Sequence, residues 1–442
     1  MKRAKVFMHV NFTGILEEND EGYSFWYDEN YLSRPEAEAI SLTMPLQKEP
    51  YKDRYLFPFF DGLIPEGWLL EIARENWKLS ARDRMELLLV CCRDCIGAVS
   101  IYPDNEEIDS REGLKKEEES EVNPDHRKRG DKCLYCYQTL NADVKSEYHP
   151  QCSKKIFGTP IPPILPYTKS QIESLALNVI RSQTVVTGVQ PKLSLEIEEQ
   201  DRKKRFMIVG LWGGYILKPQ TDLYPNLPEL EDLTMHLAQL SKINCVSHSL
   251  IRFEDGNLCY ITPRIDRAID GYKSHMEDMC QLTERLTEDK YKGSYEQIAK
   301  RIQKYSKNPM FDLINFAEQL IFCYLTGNSD MHLKNFSLLK IKGEYELSPA
   351  YDMVATHLVI PEDTEEVALF LNAAKKKIEK SDFESAFKTM KLDPKSVENI
   401  FKNFKKIIPS WFDFIEKSFL PDEMKNNYKK LITERAEKLD LI

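Results

Sequence analysis

The amino-acid sequence predicts an α+β protein of several domains, and three observations support this fold class. The 442 residues exceed what one ordinary hydrophobic core holds. Short strand-like runs with alternating large residues occur within residues 1–104 and 168–262. The helical period, in contrast, dominates residues 263–442. We therefore expect two strand-containing regions, followed by a largely helical C-terminal region.

The first of these regions, residues 1–104, has the pattern of a small α/β domain. Strands are predicted at Val6 to Val10 and at Tyr23 to Tyr27, with Thr13-Gly14 as a turn between them. No group of catalytic residue types occurs here. In residues 105–132 Glu and Lys dominate and apolar residues are almost absent, which predicts a solvated linker.

Charge and hydrophobicity exclude several classes of protein. The net charge of −10 argues against a general nucleic-acid-binding surface, because no global basic field is available to neutralise phosphates. No apolar run approaches the roughly 18 residues of a membrane span. The N-terminus becomes polar at His9 and Asn11, before a signal-peptide core could form. We therefore expect a cytoplasmic protein with no membrane partner.

A compact group of metal-ligand residues follows the linker, within residues 133–158. Cys133 and Cys136 are separated by two residues, and His149 and Cys152 form a second pair twelve residues later. Two pairs at this spacing can close a tetrahedral Cys₃His zinc site. A closed site of four ligands is structural, because catalytic zinc needs an open position. The alternative is that these cysteines belong to a small apolar core.

Residues 168–262 contain the first polar group of functional interest. Gly188 lies in a turn between apolar runs, which is either an ordinary hairpin or a loop that covers phosphates with backbone amides. Lys218 ends an apolar strand, where a lysine is costly unless it is paired. Glu231, on the next predicted helix, is an available partner. A strand lysine that faces a helix carboxylate is the ion pair that positions ATP phosphates in kinases.

The second polar group lies in residues 326–354. Asp330 and Asn335 are separated by four residues, and Asp352 follows a predicted hairpin. Phosphoryl transfer requires an oriented acceptor hydroxyl and magnesium held by oxygen ligands. Asp330 could orient the hydroxyl, while the other two side chains could hold magnesium. An isolated Asp and Asn at this spacing would be a turn-capping pair, but together with the lysine and glutamate above they occur in the order found in kinases.

These segments together resemble the HipA-type serine/threonine kinases, the toxins of bacterial type II toxin-antitoxin modules. The resemblance covers most of residues 1–105 and 168–440. The matching segments are Asp61 to Trp68, Thr187 to Lys192, Ile216 to Pro219, Glu231, Arg264 to Arg267, His275 to Gln281, Gly327 to Phe336 and Pro349 to Asp352. The resemblance implies a bilobal protein-kinase-like fold, shared distantly with phosphatidylinositol kinases. It places a HipA N-terminal-like domain at 1–104, a kinase N-lobe at 168–262 and a helical C-lobe at 263–442, with the zinc-knuckle-like insert between them.

By the same resemblance, the chain is an ATP- and magnesium-dependent protein kinase. Lys218 would contact ATP phosphates and pair with Glu231, and Asp330 would be the catalytic base. Magnesium would be held by Asn335 and Asp352. Further contacts with ATP are assigned to Thr187, Gly188, Val189 and His332.

The resemblance also implies partners. Family members phosphorylate proteins of translation, such as aminoacyl-tRNA synthetases, and are restrained by a helix-turn-helix antitoxin that makes the main contact with DNA. We therefore expect a growth-inhibiting toxin with a protein substrate. Two alternatives stay open, namely a lipid or small-molecule kinase on the same scaffold and a catalytically idle ATP-binding co-repressor.

The sequence departs from the family pattern at three places. One is Asn372-Ala373-Ala374-Lys375, which stands where the family has an Asn-Gly-Lys segment and so lacks its glycine. Some members autophosphorylate a serine in the loop before Gly188, which ejects the loop and inactivates the kinase, but Val185 occupies that position here. Autophosphorylation would therefore have to use Ser182, Thr184 or Thr187. The Cys₃His insert and the linker are absent from the best-known members, which suggests a fusion of parts that could exist as separate chains.

Overall fold

A computed structural model describes residues 1–64, 83–104, 130–171, 193–200, 203–208, 213–268 and 272–442. Most of the predicted linker therefore lies outside the described residues. The buried apolar side chains form two clusters, one from residues 4–101 and the other from residues 133–441. The domain boundaries inferred from the sequence stay a prediction.

The N-terminal region is an antiparallel sheet of five strands with short helices. The strands are β1 Lys2–Met8, β2 Asn11–Asn19, β3 Gly22–Tyr27, β4 Tyr51–Asp53 and β5 Val99–Pro103, in the order β4-β3-β2-β1-β5. Alternate residues along β1 are buried, as expected for a strand with one face on a core. The helices are α1 Glu29–Leu32, α2 Pro58–Leu63 and α3 Arg84–Cys91.

The predicted turn at Thr13-Gly14 is wrong, because both residues lie within β2. The Thr13 hydroxyl donates to the Val6 carbonyl at 2.9 Å. A Cβ built on Gly14 would lie 2.1 Å from the carbonyl oxygen of Trp26. Glycine is therefore required here by the close approach of β3, since any side chain would collide with its backbone.

Residues 133–158, called the insert below, contain helix α4 Pro150–Phe157. The helix ends at Gly158, whose φ of 71° is the left-handed conformation of a common helix C-terminus. Buried apolar side chains of the insert, such as Leu134 and Tyr148, belong to the same cluster as those of the following sheet. The insert is therefore packed on that sheet.

The second antiparallel sheet, called the upper sheet, also has five strands. These are β6 Leu193–Gln200, β7 Lys203–Ile208, β8 Tyr215–Pro219, β9 Ser249–Arg252 and β10 Leu258–Pro263, in the order β7-β6-β8-β10-β9. Helix α5 Leu227–Leu240 packs against β9 and β10. All residues from Leu230 to Ala238 are buried, so this helix is covered on every side.

The C-terminal region is largely helical, as its periodicity predicts. Its helices are α6 Met279–Leu282, α7 Tyr295–Tyr305, α8 Pro309–Leu325, α9 Lys380–Thr389, α10 Pro394–Lys417 and α11 Asp422–Lys438. A three-stranded sheet is formed by β11 Met276–Asp278, β12 Ser337–Ile341 and β13 Glu344–Leu347, with β12 in the middle. Among the helices in the described part of the chain, none is long and apolar enough to cross a membrane.

Candidate active site

The residues predicted around Lys218 come together at the upper sheet. Lys218 lies in β8, opposite Tyr260 of β10, and is 4% exposed. Its ammonium group donates hydrogen bonds to the carboxylates of Glu231 and Asp352. It also lies 5.2 Å from the centre of the Tyr260 ring. A buried cation is therefore shared by two acids that come from separate parts of the chain.

The surroundings of Lys218 keep it charged. Burial alone would lower the pKa of its ammonium group, because the charge loses hydration. The attraction of Asp352 and Glu231, with their hydrogen bonds, outweighs burial and raises the pKa above its ordinary value. Lys218 is consequently a permanent cation at physiological pH.

Helix α5 brings Glu231 to the upper sheet. The helix follows Asn226, whose φ of 60° is left-handed, and Pro228 occupies its first turn, where a missing amide hydrogen costs little. Glu231 is 1% exposed, and an unpaired carboxylate would be strongly disfavoured at that depth. The ion pair with Lys218 therefore fixes the position of α5 relative to β8.

Asp352 reaches Lys218 from the segment after β13. Its φ is 57°, a left-handed conformation that residues other than glycine seldom adopt. The segment is held by Ala350, whose amide donates to the Asn244 carbonyl at 2.8 Å and whose carbonyl accepts from the Val246 amide at 3.0 Å. Such local strain is typical of functional sites, where the surrounding structure imposes it.

The residues from Gly327 to Phe336, called the Asp330 loop below, are ordered by bonds within the loop. The backbone amide of His332 and the side-chain amide of Asn335 both donate to the Asp330 carbonyl, at 2.8 and 2.9 Å. Asn335 is 8% exposed. Its bond to the backbone fixes the orientation of its amide oxygen.

The carboxylate of Asp330 accepts a hydrogen bond from the Tyr291 hydroxyl at 2.5 Å. The Tyr291 ring meets His332 edge-on, with 4.9 Å between ring centres. The Nδ1 atom of His332 accepts from the Lys334 amide at 3.3 Å, so this side chain stabilises the loop. Its contact with ATP stays a prediction. Sequence reasoning missed Tyr291, because no spacing rule links it to an aspartate 39 positions later.

Lys334 connects the Asp330 loop to the N-terminal region. Its ammonium group donates to the Gly62 carbonyl at 3.0 Å and lies 3.1 Å from the Asp278 carboxylate. Its own carbonyl accepts from the Tyr351 hydroxyl at 3.1 Å, which joins the loop to the segment of Asp352. The sequence motif includes Lys334, but its contact with Gly62, 272 positions away, has no sequence signal.

The remaining predicted contacts with ATP, Thr187, Gly188 and Val189, lie outside the described residues. The same holds for the possible autophosphorylation sites, Ser182 and Thr184. Their roles stay predictions.

The four predicted metal ligands converge within the insert. One candidate ligand atom from each of Cys133, Cys136, His149 and Cys152 lies within 4.8 Å of the others. The Nδ1 atom of His149 is 3.4 Å from the sulfur of Cys136 and 3.9 Å from that of Cys152. Its Nε2 atom lies 3.3 Å from the Thr139 carbonyl, a contact that orients the ring as in many metal sites. The donor set and its geometry fit a closed zinc site.

Two family models match the chain. The model of the HipA N-terminal domain matches residues 4–102, and the model of the HipA-like C-terminal domain matches residues 184–412. A putative kinase of Haemophilus influenzae is 30% identical over 208 residues, which are 44% of this chain and 58% of that protein. The serine/threonine-protein kinase toxin HipA of Shewanella oneidensis is 27% identical over 191 residues, 39% of this chain and 43% of that protein. Neither alignment reaches two thirds of the relative's own length.

A solved structure shows the same fold over nearly the whole chain. It is Shewanella oneidensis HipA in complex with HipB and operator DNA, with a TM-score of 0.69 and 19% sequence identity. The match covers 99% of this chain and 97% of that chain. The predicted bilobal α+β fold is thereby confirmed. Because the C-terminal family model alone spans more than half of the sequence, the chain belongs to the HipA family.

Proposed function

We propose that this chain is an ATP- and magnesium-dependent serine/threonine protein kinase. The observation that carries the proposal is Lys218, a buried ammonium group shared by Glu231 and Asp352. A lysine held in this way by a helix glutamate is the arrangement that contacts nucleotide phosphates in kinases. The names of the two relatives, a putative kinase and a serine/threonine-protein kinase toxin, support the same activity.

The residues assigned to magnesium carry the types of oxygen donor that this ion prefers. Magnesium prefers carboxylate and carbonyl oxygens, and Asp352 and Asn335 would supply one of each kind. The Asp352 side chain is 24% exposed, so an ion from solvent can reach its carboxylate. Bound magnesium would supply positive charge that neutralises the phosphate oxygens.

The protein side chains divide the remaining tasks. Lys218 would bind phosphate oxygens as a fixed cation, and Glu231 would hold the lysine in place. Asp330 would accept the hydrogen bond of a serine or threonine hydroxyl and orient its oxygen toward the γ-phosphate.

Radiolabelled ATP incubated with purified protein and cell lysate tests this activity. Because a general base contributes about 10²-fold or more to the rate, Asp330→Asn is expected to reduce protein labelling at least to that extent. The matched control is Asp422→Asn, which makes the same change in an exposed side chain of α11. Equal labelling by the wild type and Asp330→Asn would contradict the proposal.

The biological role that we infer is a growth-inhibiting toxin that phosphorylates a translation protein, such as an aminoacyl-tRNA synthetase. A helix-turn-helix antitoxin would neutralise it and contact DNA. The name of the Shewanella relative and the presence of HipB and operator DNA in the similar structure support this role. Induced expression is expected to arrest bacterial growth for the wild type and not for Asp330→Asn. Equal growth of the two strains would contradict the role as a toxin.

We also propose that Cys133, Cys136, His149 and Cys152 bind one structural zinc ion. Elemental analysis should find about one equivalent of zinc per chain. The double variant Cys133→Ser/Cys136→Ser should lose it, whereas Cys245→Ser, outside the cluster, should keep it. A folded wild-type protein without zinc would refute the site.

A further inference from the structure

Helix α5 carries two adjacent buried acids that contact different parts of the protein. Glu231 accepts a hydrogen bond from Lys218 in the candidate active site. Asp232, which is fully buried, accepts one from the Tyr137 hydroxyl of the insert at 2.6 Å and lies 2.6 Å from Nδ1 of His248. The insert thus contacts α5 directly beside the residue that pairs with the active-site lysine.

The position of Tyr137 is set by the metal-binding part of the insert. Tyr137 follows Cys136 directly, and its amide donates to the carbonyl of Cys133 at 2.9 Å. Its φ of 63° is left-handed, a conformation that tyrosine seldom adopts. The fold of the insert therefore imposes this conformation. Two of the proposed zinc ligands therefore determine where this side chain lies.

The Tyr137 ring is enclosed by aromatic groups. Its centre lies 4.8 Å from that of His236 on α5, and 5.3 and 5.0 Å from those of Phe414 and Phe419. Aromatic contacts of this kind combine large apolar area with a preferred geometry. The ring therefore packs between α5 and the C-terminal helix α10, and its hydroxyl bonds to Asp232.

The insert also holds the edge strand of the upper sheet. The Leu250 amide of β9 donates to the Leu134 carbonyl at 3.3 Å, and the Leu250 carbonyl accepts from the Tyr148 hydroxyl. Arg252 of β9 pairs with Glu147 at 2.8 Å. Because α5 packs on β9 and β10, the insert contacts both the helix and the sheet on which it rests.

We propose that the zinc-loaded insert positions helix α5, with Tyr137 as the positioning residue for Glu231, so that metal loading controls nucleotide affinity. The inference rests on the proposed kinase function and on the proposed zinc site. Neither of these two proposals requires such regulation, because a zinc ion could stabilise the insert without affecting the rest of the protein. Loss of the metal would free the segment from Cys133 to Cys136 to move, so that the Tyr137 hydroxyl no longer bonds to Asp232. Helix α5, which holds Glu231 against Lys218, would then become less firmly positioned.

Hydrogen exchange measured by mass spectrometry tests whether the insert positions helix α5, and it does not depend on kinase activity. The wild type is compared with Cys133→Ser/Cys136→Ser. Exchange of α5 amides in residues 227–240 is expected to become about tenfold faster in the double variant. A change confined to residues 133–158 would overturn the inference.

Tyr137→Phe separates positioning from general stability. This variant keeps the zinc ligands and the ring but lacks the hydroxyl that reaches Asp232. The dissociation constant of a nonhydrolysable Mg-ATP analogue is expected to rise about fivefold, at the lower end of typical coupling between sites. The matched control is Tyr135→Phe, the same change two residues earlier on the knuckle, which should leave the affinity unchanged. Equal affinities of Tyr137→Phe and the wild type would overturn the role of Tyr137.

The outcomes also distinguish this inference from the proposals on which it rests. A wild type that binds no nucleotide would refute the kinase function, while hydrogen exchange would still decide whether the insert positions α5. A wild type without zinc would refute the metal site and the inference together. A zinc-loaded protein whose α5 amides do not respond to metal loss would refute the inference alone.

Discussion

The N-terminal region and the insert contact different elements of the candidate active site, and they do so by different chemistry. The N-terminal region meets the Asp330 loop through the Gly62 carbonyl, which accepts a hydrogen bond from Lys334. It also meets the segment before Tyr291 through the Asp61 carboxylate, which accepts from the Thr287 amide at 2.7 Å. The insert meets helix α5 through aromatic packing around Tyr137, together with the buried hydrogen bond from its hydroxyl to Asp232. Directional bonds fix the orientation of side chains, whereas packing fixes the spacing between elements.

This difference predicts that disruption of the two contacts changes different kinetic properties of the protein. Disruption on the N-terminal side should lower the rate of phosphoryl transfer, because it moves the Asp330 loop. Disruption on the insert side should lower nucleotide affinity, because it moves Glu231. Two of the predictions below, Asp266→Asn and Lys334→Met, test the N-terminal side. A third tests Tyr291 beside Asp330, and the experiments with Tyr137 test the insert side.

The largest effect is expected from Asp266→Asn. Asp266 is buried, accepts two hydrogen bonds from Arg264 at 2.9 and 3.0 Å, and accepts one from the Gly97 amide of the N-terminal region at 3.0 Å. An uncharged amide would leave Arg264 without its buried counter-charge and Arg267 with that of Asp94 but not of Asp266. We expect the free energy of unfolding at pH 7 to fall by about 3–5 kcal/mol, measured by urea denaturation. The zinc content should not change.

The same variant has an expected pH dependence. Burial opposes ionisation of Asp266, but Arg264 and Arg267 outweigh it and lower the pKa of the carboxyl to about 2 in the folded protein. A depressed pKa contributes stability above the unfolded value of 3.8, and this contribution is lost as the pH falls toward 2. The difference between wild type and Asp266→Asn should therefore narrow below about pH 4. The control Asp104→Asn, in a partly exposed ion pair, should stay within about 0.5 kcal/mol of the wild type.

The second effect is expected from Lys334→Met, which removes the bond to Gly62 and the ion pair with Asp278. A small displacement of the Asp330 loop can cost about 10²-fold in rate, so we expect single-turnover transfer to slow by about that factor. The affinity for the Mg-ATP analogue should change by less than about twofold, because Lys218 and Glu231 are not touched.

The control for this variant is Lys340→Met. Lys340 also joins the C-terminal region to the N-terminal region, through a 2.7 Å ion pair with Glu38, but it lies outside the Asp330 loop and its partner is 43% exposed. Its rate of transfer should equal that of the wild type. If Lys334→Met weakened nucleotide binding as much as it slowed transfer, the N-terminal contact would not act on the rate of transfer alone, and the proposed difference between the two contacts would be wrong.

Sequence reasoning named the polar residues of the candidate site and the pairing of Lys218 with Glu231, but not the longer-range contacts that hold these residues. Lys218 was identifiable because a lysine in an apolar strand requires a partner, and Asp330 with Asn335 because their spacing is local. The prediction of a turn at Gly14 was wrong, because a glycine can indicate either a turn or a close approach of two backbones. Only the position of the neighbouring strand β3 shows that the second explanation applies. The contacts of Lys334 with Gly62 and of Tyr137 with Asp232 depend on how distant segments pack. No periodicity or spacing encodes them.

The smallest effect is expected from Tyr291→Phe. The Tyr291 hydroxyl occupies a hydrogen-bonding position on the Asp330 carboxylate, and an acceptor serine or threonine would need a position on the same group. The segment that carries this tyrosine begins at Thr287, which is bound to Asp61 of the N-terminal region. Removal of the phenol should free the carboxylate for the substrate. We expect kcat/KM for protein labelling to rise about threefold, since a partly exposed hydrogen bond contributes about 1 kcal/mol or less.

The control for Tyr291→Phe is Tyr55→Phe, the same change at a tyrosine that is 61% exposed and belongs to the N-terminal region. Its kcat/KM should equal that of the wild type. A lower kcat/KM for Tyr291→Phe would mean that the phenol helps to orient Asp330 instead of competing with the substrate. In that case the N-terminal region would support catalysis through the Asp61–Thr287 bond as well as through the bond of Lys334 to Gly62. Both contacts would then increase the rate of phosphoryl transfer.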